Sequence, residues 1–137
     1  VSLDVYLFFN GNCREAIDFY ADVFQTEIPN VMTFGQAPPD PNHQLPEEAK
    51  DLVMHGNLNI NGSQILFSDV FPGSPFVEGN NIHLVYMDND IEKIKHTFDQ
   101  LKAGGKVTMD LQETFFSKSY GQVTDRFGIH WQISHQS

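Results

Sequence analysis

Val5-Tyr6-Leu7-Phe8-Phe9, followed by Asn12-Cys13-Arg14-Glu15 and an apolar stripe of Ala16, Phe19, Tyr20 and Val23, sets the fold of this chain, because the same unit returns 77 residues later. The second copy runs Ile82-His83-Leu84-Val85-Tyr86-Met87, then Asn89-Asp90-Ile91-Glu92, with Ile91, Ile94, Phe98 and Leu101 at helical spacing. Asn12 aligns with Asn89, Glu15 with Glu92, Ile17 with Ile94 and Phe24 with Leu101. Each Asn-x-x-Glu reads as a capping-box-like helix start, in which the Asn accepts a free backbone N–H and the Glu reaches back. A tandem strand–helix repeat of this length predicts two modules, about 1–70 and 80–137, with a binding surface where they face each other.

Outward from the helices the period changes from helical to twofold. Glu27 to Gly35 reads as a strand, and residues 36–48, with four prolines and three acids, read as a solvated loop that cannot join a central sheet. Val53 to Ile60 alternates, with Met54, Gly56, Leu58 and Ile60 on one face and His55, Asn57 and Asn59 on the other. Asn61-Gly62 is a two-residue hairpin signal, and Gln64 to Asp69 is the return strand. After the second helix, Gly104-Gly105 supplies a stop, Lys106 to Phe116 and Gly121 to Thr124 read as strands, and Ile129 to Ser134 alternates as the last one. Both halves therefore read βαβββ, within a single domain spanning 1–137. Met54, Leu58, Ile94, Phe98 and Leu101 should lie buried under the helices, with Phe19 and Val23 on the first helix's inner face.

Composition narrows the partners. Eight basic against 18 acidic residues give a net charge of −10, which opposes a nucleic-acid groove and docking on anionic lipid. No apolar run approaches the roughly 20 residues of a membrane span, and the N-terminus lacks the basic start and apolar stretch of a secretory signal. A lone cysteine cannot form an intramolecular disulfide, which fits a cytoplasmic setting.

Three segments carry a resemblance to a known family: Tyr6-Leu7-Phe8-Phe9-Asn10-Gly11-Asn12-Cys13 with Phe19-Tyr20; Gly62-Ser63-Gln64-Ile65-Leu66-Phe67-Ser68-Asp69; and Gln112-Glu113-Thr114-Phe115-Phe116 through Tyr120-Gly121 to Val123-Thr124-Asp125-Arg126-Phe127-Gly128 and Trp131. They resemble the PhnB-like branch of the vicinal-oxygen-chelate superfamily, which includes glyoxalase I, extradiol dioxygenases and bleomycin-resistance proteins. This branch often carries the label 3-demethylubiquinone-9 3-methyltransferase. The resemblance spans nearly the whole chain. It implies an α+β fold of paired βαβββ modules forming an eight-stranded cup-shaped sheet with helices on the convex side, a concave ligand cavity and a homodimer. It implies no particular reaction.

Metalloenzymes of that superfamily place four ligands on the first and last strands of the modules, which correspond here to Val5, Phe67 or Asp69, Ile82 and Gln132. Valine and isoleucine offer no lone pair and Gln132 is a weak neutral donor, so no metal and no cofactor is expected. A one-residue shift would substitute His83 for Ile82 but would turn its neighbours to the other face. The methyltransferase label also lacks support, because Asn10-Gly11-Asn12 is not the glycine-rich turn of a Rossmann-type methyl-donor site.

Among the histidines, His43, His96 and His135 read as exposed. His55, which shares a face with Asn57 and Asn59, reads either as a hydrogen-bonded structural residue or as a pocket acid or base, and His130 is a weaker candidate. Cys13 in a first helical turn is either structural or an activated thiol. Glu113 and Tyr120 bracket Phe115-Phe116 and read as a structural pair or as substrate contacts, while Trp131 reads as core. The chain as a whole reads as a binder of an unknown small molecule, metal-independent, with His55 as catalytic candidate and Asn57, Glu113, Tyr120 and Gln132 as ligand-binding candidates. Two classes stay open: an enzyme performing proton transfer or addition, and a sequestration protein of the bleomycin-resistance kind.

Overall fold

Asn61 and Gly62 both adopt positive φ, 52° and 95°, so the hairpin forms where the sequence places it. It joins two strands of a computed structural model that describes residues 1–28 and 30–137. The elements run β1 (Val5–Phe9), α1 (Cys13–Val23), β2 (Val31–Thr33), β3 (Val53–Ile60) and β4 (Ser63–Asp69), then β5 (Leu84–Asp88), α2 (Ile91–Lys102), β6 (Lys106–Gln112), β7 (Tyr120–Thr124) and β8 (His130–His135). The eight strands form two open four-stranded sheets, ordered β1-β4-β3-β2 and β5-β8-β7-β6. In each, the first strand pairs in parallel with the last, and the other neighbours are antiparallel. Two compact units, Val1–Val77 and Glu78–Ser137, contain one βαβββ set each.

Within each unit the helix lies on one face of its own sheet. Ala16, Ile17, Tyr20 and Val23 of α1 are buried with Phe9, Val53, Leu58 and Phe67. Ile94, Thr97, Phe98 and Leu101 of α2 are buried with Val123, Trp131 and Ile133. Met54 and Phe19, expected in the core, are only half-buried. Gly56 and Leu58 carry the β3 side of the helix contact instead, and Phe19 packs edge-on against Tyr20 at 5.4 Å.

The close approach of helix to sheet rests on two glycines at equivalent positions. Gly56 pairs with Phe67 across β3–β4, and Gly121 pairs with Ile133 across β7–β8, each two residues before the last strand's final position. A Cβ at Gly56 would lie 2.8 Å from Ile17 Cδ1, and one at Gly121 would lie 2.7 Å from Phe98 Cε1 and 3.0 Å from the Met109 carbonyl oxygen. The sheet surface is notched where each helix sits.

Several sequence-based expectations are corrected. The Glu27–Gly35 strand shrinks to Val31–Thr33, because Phe34–Gln36 turns into a 3₁₀ helix whose Gln36 Oε1 accepts the Thr33 N–H at 2.9 Å; Pro29, within the expected strand, lies outside the described residues. The strand expected to reach Phe116 ends at Gln112, since Thr114 and Ser117 close a tight turn through the Thr114 N–H to Ser117 carbonyl bond and the Ser117 N–H to Thr114 Oγ1 bond. Ile82 precedes β5 and is exposed.

The two helix caps also differ from the expected pair. Asn12 makes no side-chain cap bond. The buried Asp69 carboxylate arrives from the end of β4 and accepts the Gly11 and Cys13 N–H groups through Oδ1, at 2.9 and 3.0 Å, and the Val53 N–H through Oδ2, at 2.9 Å. In the second unit the cap is Asp90 rather than Asn89, its Oδ1 accepting from the Glu92 and Lys93 N–H groups at 3.0 and 3.4 Å. His135 occupies the strand-end position equivalent to Asp69, opposite Asp88. It is buried rather than exposed, and its Nε2–H donates to the Asn89 carbonyl at 3.1 Å. One module closes with a carboxylate acceptor and the other with an imidazole donor.

Candidate functional site

The alternation that turns apolar side chains toward a helix leaves the other face of each sheet to the remaining residues. On the second sheet that face carries a connected polar set. Val85, Gln132 and Gln122 stand in register across β5, β8 and β7. The Gln122 Nε2–H donates to Tyr120 Oη at 3.0 Å, and the Tyr120 hydroxyl donates to Gln132 Oε1 at 2.7 Å. Gln132 Nε2 in turn lies 3.4 Å from His83 Nδ1. His83 stacks on His130 with ring centroids 5.1 Å apart and an interplanar angle of 21°. His130 Nδ1 meets Thr124 Oγ1 at 2.9 Å, and its Nε2 meets the Gly79 carbonyl at 3.2 Å. The exposed Val85 and Met87 adjoin this set, and Phe116 packs edge-on to Tyr120 at 5.0 Å. A polar constellation set among exposed apolar side chains can grip a molecule that has both characters.

The first sheet's helix-free face is more apolar. Tyr6 and Phe8 stack at 4.7 Å and are exposed, as is Met32, which pairs with His55 across β2–β3. His55 is exposed on this face beside Tyr6, with ring centroids 6.4 Å apart. Asn57 Nδ2 donates to Gln64 Oε1 at 3.1 Å.

Of the residues singled out from sequence, Tyr120 and Gln132 are hydrogen-bonded to each other, and His55 and Asn57 share the first sheet's face. Glu113 stands apart, exposed, in a groove of about 420 Å³ lined also by Phe115, Phe116, Lys118 and His135. Sequence reasoning missed Gln122, Thr124 and His83 as members of the polar set. The alternation of Tyr120, Gln122 and Thr124 against Gly121 and Val123 was the available signal for the first two. His83 precedes its strand and joins only through tertiary stacking on His130.

Cys13 is fully buried, and burial first, with the Asp69 carboxylate second, pushes its thiol far above the ordinary range. It is a core residue, not an activated nucleophile. His96, expected at the surface, is half-buried, with Nε2 shielded from solvent. Tyr86 donates its hydroxyl to Asp88 Oδ2 at 2.7 Å; burial first and this bond second push the phenol up to about 12. The same bond, with the Asp90 N–H, holds Asp88 below the usual carboxylate range. The residues at the positions where the superfamily resemblance would place a metal do not suit one. Val5 and Ile82 carry no donor, and both oxygens of Asp69 already receive backbone N–H bonds.

Residues 2–134 match the family described as 3-demethylubiquinone-9 3-methyltransferase. The chain belongs to that family. It is similar to Protein YjdN of Escherichia coli, at 35% identity covering 96% of this chain and 93% of YjdN. Among solved structures it is similar to protein PA1353 from Pseudomonas aeruginosa, at 31% identity, a TM-score of 0.85 and 98% coverage of both chains. It is also similar to a putative 3-demethylubiquinone-9 3-methyltransferase, PhnB protein, from Bacillus cereus, at 25% identity, a TM-score of 0.79 and coverage of 99% and 100%. The fold is that of the vicinal-oxygen-chelate superfamily, in its PhnB-like branch.

Proposed function

We propose that this family member binds a small amphipathic molecule on a helix-free sheet face and acts on it without a metal, by proton transfer or addition. The observation that carries this reading is the hydrogen-bonded set Gln122–Tyr120–Gln132–His83 beside exposed Val85 and Met87. The first sheet's helix-free face is read by itself in the same way, with the His55 imidazole as acid or base, Asn57 to orient ligand, and Tyr6, Phe8 and Met32 as apolar contacts. Glu113 is assigned a peripheral contact in its own groove. The protein works as a homodimer, which would cover exposed apolar side chains outside the ligand faces, such as Val77, Ile82 and Met109. Methyl transfer has no support in the site, since the turn Asn10-Gly11-Asn12 is used to start α1 under Asp69 and holds no nucleotide-binding glycine pattern.

The test is native mass spectrometry of protein purified from its source cells, followed by ligand titration of His55→Ala. A small-molecule adduct is expected; the variant should keep its fold and bind or turn over the adduct more weakly, and a chelator should change neither. A metal held tightly by protein side chains would sink the proposal. The competing reading, sequestration without catalysis, is favoured by the engagement of Tyr120 and Gln132 with each other and of both ring nitrogens of His130. Turnover of the recovered ligand separates the two.

A further inference from the structure

The amide orientations of Gln122 and Gln132 set the direction of each hydrogen bond in the polar set, and following the bonds outward assigns the proton on His83. Gln122 donates to Tyr120 Oη, so the Tyr120 hydroxyl proton goes to Gln132 Oε1. With its oxygen committed, Gln132 turns its NH₂ toward His83 and can only donate, so the facing Nδ1 must be the unprotonated nitrogen. The proton of neutral His83 therefore sits on Nε2, which has no hydrogen-bond partner among the described residues and belongs to an exposed side chain. His130 is closed off by contrast: the Gly79 carbonyl can only accept, so Nε2–H donates to it and Nδ1 accepts from Thr124. Of the stacked imidazoles, one is sealed and one offers a single N–H outward.

Resting on the reading of the sheet faces as ligand surfaces, we infer that His83 Nε2–H is the donor that recognises an acceptor oxygen, carbonyl or carboxylate, of an amphipathic small molecule whose apolar part lies along Val85 and Met87. His83 precedes β5 and meets Gln132, the cross-strand partner of Val85, while Val85 and Met87 alternate along β5, so the head group of such a ligand would lie at the strand's start and its tail along the strand. Tyr120 and Gln132 are positioning residues: they set the tautomer and need not touch the ligand. A wrong tautomer would present a lone pair and select the opposite kind of ligand.

Long-range proton–nitrogen NMR of the histidine rings in the full chain tests the assignment without any ligand. His83 should show the Nε2–H form. Tyr120→Phe removes the proton that holds the Gln132 amide, and should let His83 populate both tautomers while His130 keeps its own. Gln132→Glu, which offers only acceptors, should move the His83 proton to Nδ1 and serves as the second variant should the first fail to fold. An Nδ1–H form in the parent chain, or an unchanged His83 in a folded variant of either kind, overturns the relay. For the ligand, hexanoate, hexanamide and hexylamine are titrated. The first two should shift the His83 ring signals and bind about three- to tenfold more weakly to His83→Ala, the loss of one hydrogen bond. An equal response to hexylamine, or none to any of the three, overturns the donor role; the broader reading fails separately, if protein from source cells carries no adduct.

Discussion

Asp69, at the end of β4, ties together two stretches of the first module that are far apart in the sequence, the start of α1 and the start of β3. Its carboxylate holds the turn before α1, the first turn of that helix and the start of β3 through the N–H groups of Gly11, Cys13 and Val53. A buried carboxylate with three donors is tolerated because three of its lone pairs exchange water for charge-assisted bonds. Asp69→Asn keeps the shape but sets an NH₂ group against a backbone N–H. It should cost about 2–4 kcal/mol, read as a lower urea midpoint with unchanged slope. Asp90→Ala, the loss of an exposed cap, should cost only about 1 kcal/mol. Equal losses would contradict the ranking. This pair also marks where residue-level reading of the sequence stops. The helix starts were legible from Asn12 and Asn89, but the groups that hold them were not. A cap supplied from 56 residues away leaves no local trace, and the choice between Asn89 and Asp90 turns on backbone angles.

At the scale of elements, period and turn chemistry carried most of the fold. The β3–β4 hairpin and both helices follow from alternation, Asn61-Gly62 and the apolar stripes, because each is a local preference that the tertiary structure reinforces. The strands that ran short, at Val31–Thr33 and Lys106–Gln112, end at side-chain-to-backbone bonds made by Gln36 and by Thr114, which a propensity reading cannot see. The candidate site was legible where it lies on strands, in Tyr120 and Gln132, and illegible where it depends on ring stacking, in His83. The glycine notches give an element-scale prediction. Gly121→Ala meets a ring edge and a backbone oxygen, neither of which yields easily, and should cost about 1–3 kcal/mol. Gly56→Ala meets the far end of Ile17, which can turn aside, and should cost less. Thermal or urea unfolding of the two variants orders them, and the reverse order would mean that α1, not α2, is the more tightly seated helix.

For the whole molecule, the charge of −10 keeps copies apart in general, while the proposed homodimer would draw on exposed apolar side chains such as Val77, Ile82 and Met109. The homodimer proposal predicts a light-scattering mass of twice 15.6 kDa, held at raised salt because apolar contact rather than ion pairing would drive it. A 15.6 kDa species at every concentration would count against it. No helix among the described residues is long and apolar enough to cross a membrane.

The parallel pairing of first and last strands in each module also bears on how the chain is made. β1 finds its partner only when residues 63–69 leave the ribosome, and β5 only when residues 130–135 do. A truncated nascent chain that stops before residue 63 holds a helix with no carboxylate to seat its first turn and, in β1, a strand with both edges open. Synthesis therefore passes through two completion points, and the intervals before them are when the chain has most need of a chaperone.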